Sequence, residues 1–242
     1  MCTVTFIPVN NKFFITSNRD EKSLRKQAIA PALYKMKTGN IIFPKDANAG
    51  GTWFAAHENG NAVIFLNGAL KKHNSIPLYK KSRGLILLDL IDSDNPYQKF
   101  LSENFINIEP FTAIIFCEQQ LFECRWDGKG KFYKHLEENI PHIWSSVTLY
   151  DDAVINKRER WFAEWLQKNP LPTQEDILSF HQFTGDGDKR NDLLMNRDGE
   201  TYTVSITSLE SGADTGVLKY LDFKDQQTHE MQFEFSKAIA YK

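Results

Sequence analysis

The sequence predicts an α+β fold built mainly from antiparallel sheets. Segments with the composition of β-strands come first, helical patterns occupy the middle, and strand-like segments return towards the end of the chain. This order is typical of α+β proteins rather than of alternating parallel folds. Aromatic residues make up 13% of the 242 residues, so the chain can bury a substantial core. We expect residues 1–242 to form one domain, because no repeat, linker or low-complexity segment divides the sequence.

The first predicted element is a hairpin, CTVTFIPVNNKFFITSN, that turns at Asn10–Asn11. Asparagine tolerates the positive φ that two-residue hairpin loops require. With this loop, the numbers of directly opposed residues sum to 21, and the opposed pairs are Val9–Lys12, Phe6–Ile15, Val4–Ser17 and Cys2–Arg19.

Both faces of this hairpin are apolar. One face carries Val4, Phe6 and Ile15, and the other carries Ile7, Val9 and Phe14. A strand pair that is apolar on both sides needs cover on both sides. The sequence therefore predicts a layered sandwich rather than an open barrel.

Two more hairpins follow in the chain. GTWFAAHENGNAVIFLN is predicted to turn near Asn59–Gly60, and FTAIIFCEQQLFECRW around Gln119. The second turn sets Cys117 opposite Leu121, so that its sulfur does not face that of Cys124. Because the three cysteines of the chain lack metal-type spacing, we expect these two to be small buried hydrophobes.

Three helices are predicted in the middle of the chain. The first starts at Ser82, whose hydroxyl can cap RGLILLDLI. The second, DDAVINKRERWFAEWLQK, ends before Pro170. The third, TQEDILSFHQF, starts with the capping-box pattern of Thr173 and Asp176. The apolar residues of the second helix that lie near helical spacing are Val154, Trp161, Trp165 and Leu166. The strands ETYTVSITSL, GVLKYLDF and HEMQFEFS follow.

Composition excludes several function classes. The net charge is −2 and no block of Lys and Arg interleaves with aromatics, so nucleic acid is not an expected partner. No apolar run approaches the roughly 18 residues of a membrane span, and the N-terminus lacks the pattern of a signal peptide. We therefore expect a cytoplasmic protein without a membrane span. No phosphate-binding or dinucleotide motif occurs, and TGDGDKRND lacks the spacing of a calcium loop, so no metal or cofactor is predicted.

The opening hairpin is also the candidate site. Opposed residues share a sheet face, with Cβ atoms about 4.5–5.5 Å apart, so the predicted register sets the Arg19 guanidinium near the Cys2 sulfur. Positive charge there favours the thiolate. Asp20 is predicted to lie just past the strand end, where its carboxylate can reach a free α-amine.

Removal of Met1 completes this chemistry. Cysteine is small enough for the methionine before it to be excised, which puts an α-amine with an ordinary pKa of about 7.7–8.0 on the residue that carries the thiol. Such an amine can accept the thiol proton and later protonate a leaving amine. The six histidines are then not needed. A chance cysteine beside a surface ion pair remains the alternative.

Five motifs, MCTVTF, SNRDE, AGGTWFA, FLN and SRG, occur in this order within about the first 85 residues. Together they resemble the NRDE family, which includes the transport-and-Golgi-organisation protein 2 group. IWSSVTLYDDAVINKRERWF resembles a weaker continuation of the family pattern. The family in turn resembles N-terminal nucleophile (Ntn) hydrolases, in particular the cysteine branch that contains bile-salt hydrolases and penicillin V acylases. The resemblance implies a four-layer αββα sandwich.

The resemblance also implies roles for single residues. Cys2 is expected to be the nucleophile and, through its amine, the base. Arg19 and Asp20 match the charged pair that orients the nucleophile, and Asn67 matches an asparagine that serves an oxyanion hole. Trp53 is expected either to line a pocket or to pack in the core.

Other motif residues are expected to play supporting parts. Asn18 and Glu21 match the motif, and their side chains are expected to bond to backbone near the site. Gly50–Gly51 is expected to reflect tight backbone geometry.

Two departures from the family pattern bear on catalysis. Ser146 stands where a second asparagine is expected, and a hydroxyl donates from a shorter arm. The cysteine branch also uses an arginine near its C-terminal strands, for which Arg190 and Arg197 are nearby without a matching context.

Two hypotheses of function follow. In the first, the chain is a cysteine hydrolase that cleaves a linear amide bond in a small molecule. In the second, the fold is kept without catalysis, and the cleft binds or transports a hydrophobic ligand, with haem as one candidate. The sequence does not predict an oligomeric state.

Overall fold

The computed structural model describes residues 3–74 and 79–236. The elements in chain order are β1 Thr3–Val9, β2 Lys12–Lys22, β3 Ile29–Lys35, β4 Asn40–Lys45, β5 Phe54–His57, β6 Ala62–Asn67, α1 Arg83–Ile91, α2 Pro96–Ser102, β7 Phe111–Cys117, β8 Gln120–Trp126, β9 Lys131–Leu136, β10 His142–Ser145, α3 Asp152–Lys168, α4 Gln174–Phe183, β11 Asn196–Arg197, β12 Thr201–Ser211, β13 Thr215–Asp222 and β14 Gln227–Glu234. None of the helices in these segments has the length and apolar composition needed to cross a bilayer.

The described strands form two antiparallel sheets between two layers of helices. The first sheet has the order β10-β1-β2-β12-β13-β14, with β11 paired to β12, and the second has the order β3-β4-β5-β6-β7-β8-β9. Helices α3 and α4 cover the first sheet, and α1 and α2 cover the second. The main hydrophobic core lies between the sheets and continues to α1 and α2 on the outer face of the second sheet. This architecture confirms the prediction of an αββα sandwich with antiparallel sheets.

The first hairpin has the predicted register. Val9 pairs with Lys12, Phe6 with Ile15 and Val4 with Ser17, and Asn10 has the positive φ of 54° that the turn requires. The division of faces is also confirmed. Val4, Phe6 and Ile15 lie in the core between the sheets, whereas Ile7, Val9 and Phe14 pack against residues of α3 and α4 such as Phe162, Ile177 and Phe180.

The register predicted for the third hairpin was wrong by one position. Glu118 and Gln119 form a two-residue loop in which both residues have positive φ, 53° and 59°. Cys117 therefore pairs with Gln120, and Cys124 pairs with Ala113. No glycine or asparagine marks this turn, so the sequence offered little to fix its centre. Both cysteines are buried and free, as expected.

The predicted helix starts are confirmed, and the predicted apolar residues Trp165 and Leu166 lie on the packed side of α3, next to its most deeply buried positions. The Ser82 hydroxyl accepts a hydrogen bond from the Leu85 amide, and Thr173 forms a complete capping box with Asp176. In α3, Trp165 and Leu166 are only partly buried against the sheet. The buried positions of this helix are Arg158 and Phe162.

A contact between two glycines fixes α1 against the second sheet. A Cβ on Gly51 would lie 2.3 Å from the Gly84 carbonyl carbon, and a Cβ on Gly84 would lie 2.8 Å from the Thr52 carbonyl oxygen. The Thr52 amide also donates to the Gly84 carbonyl at 3.2 Å. Two backbones can approach this closely only where both lack side chains.

We predict that Gly51→Ala lowers the free energy of unfolding by about 1–3 kcal/mol or more, because the added methyl group has only backbone to displace. Urea unfolding measures the change. Gly130→Ala is the matched control, because a Cβ there would meet only the ring of Phe132, at 3.7 Å. Equal stability of the two variants would contradict the prediction.

Candidate active site

The four residues of the Asn-Arg-Asp-Glu motif point to two different layers. All four lie inside β2, where successive side chains alternate between faces of the sheet. Arg19 and Glu21 line a cavity on the side of the second sheet. Asn18 and Asp20 contact residues of the helical layer and of the strand next to β2.

The cavity has a volume of about 460 Å³ and a mostly polar wall. Its charged residues include Arg19, Glu21, Arg25, Asp46, Arg83 and Glu109. Trp53 and Asn67 also line it, so the structure brings three of the predicted site residues together around one space. A larger cavity of about 580 Å³ lies at the opposite end of the sheets, beside the turns of the first and third hairpins. None of the predicted site residues that the structure describes lines that second cavity.

Arg19 is held in the cavity wall by charge and by an aromatic ring. Its side chain is 5% exposed, and its Nη2 lies 2.5 Å from Oδ2 of Asp46. The guanidinium carbon lies 4.0 Å from the centre of the Trp53 ring. Burial lowers the pKa of Arg19, an effect that Asp46 and Glu21 oppose. The ring and the carboxylate together fix the direction of the guanidinium.

Asp46 is the anion on which this arrangement depends. Arg25 binds both of its oxygens, at 2.8 and 3.0 Å. The backbone amides of Asn48 and Ala49 donate to Oδ1, at 3.1 and 2.7 Å. Burial raises the pKa of Asp46, but the hydrogen bonds from Arg25 and Ala49 and the charges of both arginines outweigh burial, and the net pKa is lowered. The carboxylate is therefore ionised at neutral pH.

Asp20 lies inside β2 and not past its end, which corrects the sequence-based expectation. The strand continues to Lys22 because β12 pairs with it along that stretch, with Asp20 opposite Thr203. The carboxylate accepts hydrogen bonds from Thr203 Oγ1 at 2.6 Å and from the Tyr150 hydroxyl at 2.9 Å. Asp20 thus joins β2 to β12 and to the segment before α3.

Asn18 binds backbone, as expected, but on the side away from the cavity. Its amide donates to the carbonyls of His181 and Leu193, at 3.2 and 2.8 Å, and its oxygen accepts from Nδ1 of His181. Nε2 of His181 lies 2.8 Å from Oγ1 of Thr5. Burial and the charge of Arg158 lower the pKa of His181 to about 3. His181 is therefore neutral, with its proton on Nδ1 and with Nε2 accepting from the threonine.

Ser146 supports Asn67 and does not line the cavity. Its hydroxyl donates to the Asn67 carbonyl at 2.8 Å and lies 2.9 Å from Oγ1 of Thr148. Asn67 ends β6, with its side chain in the cavity wall. The hydroxyl thus holds backbone at the position where the family resemblance implied a second amide donor.

The predicted nucleophile, Cys2, lies outside the described residues. The two described cysteines have the opposite character to a reactive thiol: burial raises the pKa of Cys117 to about 11 and also raises that of Cys124. Of the two C-terminal arginines considered, Arg190 is exposed and paired with Asp198. Arg197 donates to the Leu149 carbonyl at 2.8 Å and does not line the cavity.

Sequence reasoning missed several charged residues of the site. Asp46 and Arg25 lie outside the five family motifs. An aspartate shortly before a Gly-Gly pair does indicate a turn, in which the side-chain oxygen accepts hydrogen bonds from backbone amides. Arg83 is the middle residue of the SRG motif, which by itself assigns it no role in the site. It reaches the cavity because the glycine contact places the start of α1 there, and its guanidinium binds Glu109 at 3.1 Å and the Pro110 carbonyl at 3.2 Å.

Comparison with protein families gives one match. The family model described as Transport and Golgi organisation 2 matches residues 1–179. This range includes every predicted site residue apart from the two C-terminal arginines. No curated protein sequence matches the chain.

Solved structures share the fold at low sequence identity. The N-acylethanolamine-hydrolyzing acid amidase (NAAA) ortholog of Caenorhabditis elegans is 11% identical, with a TM-score of 0.58 over 86% of this chain and 92% of that chain. A variant of the conjugated bile acid hydrolase from Clostridium perfringens is 9% identical, with a TM-score of 0.59 over 100% and 99%. A second variant of that hydrolase is 10% identical, with a TM-score of 0.56 over 100% and 99%. These neighbours establish the Ntn-hydrolase type of fold.

We predict that Asp46→Asn lowers the free energy of unfolding at pH 7 by about 3–5 kcal/mol, because it removes the anion in direct contact with the buried Arg19 and leaves only Glu21, at 4.0 Å. Since the pKa of Asp46 is lowered by folding, its stabilisation is complete above the unfolded-state pKa of about 3.9 and is lost as the pH falls through the folded-state value. The difference between wild type and variant should therefore shrink below about pH 4.

Urea unfolding across this pH range is the measurement. Asp198→Asn is the matched control, because the exposed pair of Asp198 with Arg190 should contribute less than about 1 kcal/mol. A difference between wild type and Asp46→Asn that stays constant from neutral to acid pH would contradict the assignment of Asp46 as the anion of the site.

Proposed function

Because the chain belongs to the Transport and Golgi organisation 2 family, we propose that it is an Ntn-type cysteine hydrolase that cleaves a linear amide bond. One observation carries the proposal. The buried Arg19, on β2, is fixed in the wall of a polar cavity. The neighbouring strand, β1, starts at Thr3, the residue that follows Cys2 in the sequence. Cys2 is the proposed nucleophile.

The strand register supports this assignment. Thr3 pairs with Asn18, so one more step of the same ladder would set Cys2 against Arg19. Side chains alternate between the two faces of a sheet along each strand. The Cys2 side chain would therefore lie on the same face as Ser17 and Arg19, towards the second sheet. A guanidinium next to a sulfur stabilises the thiolate.

The proposed reaction needs only groups of this chain and water. After loss of Met1, the α-amine of Cys2 takes the thiol proton, and the sulfur attacks the amide carbon. The amine then returns the proton to the leaving nitrogen as the C–N bond breaks, which leaves a thioester. Water adds to the thioester with the amine again as base, and the acid and the free thiol are released.

The remaining residues orient these groups. In the proposed mechanism the Asn67 side-chain amide donates to the oxyanion of the tetrahedral intermediate, and Ser146 keeps Asn67 in place through its carbonyl. Asp46 and Trp53 hold Arg19. Asp20 binds Tyr150 and Thr203 behind the strand, which keeps the end of β2 rigid.

We predict that Cys2 is the fast-reacting thiol of the folded protein. Iodoacetamide should alkylate it at least about a hundredfold faster than Cys117, because a thiol with a pKa of about 11 is almost entirely protonated at neutral pH. Peptide mass mapping measures the two rates, and intact mass reports whether Met1 is removed. Retained Met1, or equal rates for the two cysteines, would exclude the mechanism.

A binding protein without catalysis is the second candidate, and the role of Ser146 favours it. The Ser146 proton is used on the Asn67 carbonyl, so the described residues supply a single side-chain amide, that of Asn67, at the predicted oxyanion positions. The charged wall of the cavity argues against an apolar ligand there, because such a ligand would remove water from charged side chains without replacing its hydrogen bonds.

Titration with haem tests this candidate. On the hydrolase proposal we expect no saturable spectral shift, because the cavity wall is polar and charged. A saturable shift that Cys2→Ala alters, with no amide hydrolysis by the wild-type protein, would favour the binding function instead. Cys117→Ala is the matched control, since that residue is buried away from the cavity.

A further inference from the structure

Arg158 of α3 is a buried cation behind the opening strand. The residue has no exposed surface. Its Nη1 donates to Oγ1 of Thr3, and its Nη2 donates to the carbonyls of Asn191 and Asp192, at 3.1 and 2.8 Å. The guanidinium carbon lies 3.7 Å from the centre of the Tyr150 ring.

Within the described part of the chain, this cation has no anion in direct contact. Among residues 3–74 and 79–236, no carboxylate oxygen lies within 4.0 Å of its guanidinium. The link to negative charge is indirect, through the Tyr150 hydroxyl that donates to Asp20. Removing a cation from water without a paired anion is costly, and a helix that only covers a sheet needs no cation at a fully buried position.

The contact with Thr3 gives the buried Arg158 a structural role. Thr3 has no exposed surface and pairs with Asn18 and Ser145, so β1 is held on both sides at this point. Its side chain points away from the cavity, and Arg158 holds that side chain from the helical layer. Thr3 is also covalently joined to Cys2, with consecutive Cα atoms about 3.8 Å apart.

We propose that Arg158 is a positioning residue for the N-terminal nucleophile and acts through the Thr3 hydroxyl. Arg158 does not touch substrate. It holds the Thr3 side chain from the helical layer, as Asp46 holds the Arg19 side chain in the cavity wall. The contact thereby restricts the position of the backbone that leads to Cys2. This inference rests on the proposed function, because it assumes that Cys2 is the nucleophile.

A double-mutant cycle on the alkylation rate of Cys2 tests the inference. Thr3→Val removes the hydroxyl and keeps the branched shape, Thr3→Ser keeps the hydroxyl, and Arg158→Met removes the guanidinium and keeps an unbranched chain. All rates are measured with iodoacetamide under conditions where circular dichroism and urea unfolding show each variant to be folded. A purely structural role would lower stability and leave the folded-state rate unchanged.

We expect Thr3→Val and Arg158→Met each to slow Cys2 alkylation by about tenfold, because small displacements of a reacting group reduce rates steeply. Thr3→Ser should react like wild type. The double variant Thr3→Val with Arg158→Met should be no slower than the slower single variant, since both remove the same contact. Effects that multiply, or a Thr3→Val rate equal to that of Thr3→Ser, would overturn the inference. If Arg158→Met does not fold, the two Thr3 variants decide alone.

The two proposals fail in different ways. A synthetic peptide that begins with Cys2 gives the reference rate for an unassisted thiol. If wild-type Cys2 reacts no faster than this peptide, the proposed function and the present inference both fall. If wild-type Cys2 is faster and the variants match it, only the role of Arg158 falls.

Discussion

The alternation of side chains along β2 is the constraint on which the candidate site depends. Four consecutive motif residues in a strand must point alternately to two faces, and here both faces are buried between layers. Arg19 and Glu21 can therefore form a cavity wall only while Asn18 and Asp20 are satisfied on the other side. The motif forms one polar cluster in the sequence. In the fold, its side chains belong to two separate hydrogen-bond and ion-pair networks, one on each face of β2.

Each of these networks follows from the cost of burying polar groups. On the cavity side, Arg19 and Asp46 compensate each other, and Arg25 completes the binding of the carboxylate. On the helical side, the Asn18 side-chain oxygen accepts a hydrogen bond from His181. Burial and the charge of Arg158 lower the pKa of His181, which keeps the ring neutral. An unpaired group in either place would carry the full desolvation penalty. The two networks hold β2 from its two faces.

The cavity that results is polar, and this property separates the two functional hypotheses. An amide substrate can exchange hydrogen bonds with a wall of arginines, carboxylates and the Asn67 amide, whereas a large apolar ligand would displace the water on those groups without replacing its hydrogen bonds. The glycine contact between Gly51 and Gly84 supports the same property, because it places Arg83 at the cavity mouth. Function in this fold depends on how closely two backbones approach as well as on which side chains are present.

The sequence by itself determined the fold class, the register of the first hairpin and the starts of two helices, because each rests on local patterns: alternation, a turn residue, a capping residue. It also placed Arg19, Trp53 and Asn67 in the candidate site. Only the tertiary structure decided that Asp46 is the anion of Arg19, that Asn18 and Asp20 face the helices, and that Arg158, in a polar stretch of α3, is fully buried. These partners lie 27 to 183 residues from the motif residues they bind, or, for Arg158, 155 residues from Thr3. No local pattern encodes such a distance, because the packing of whole layers sets it.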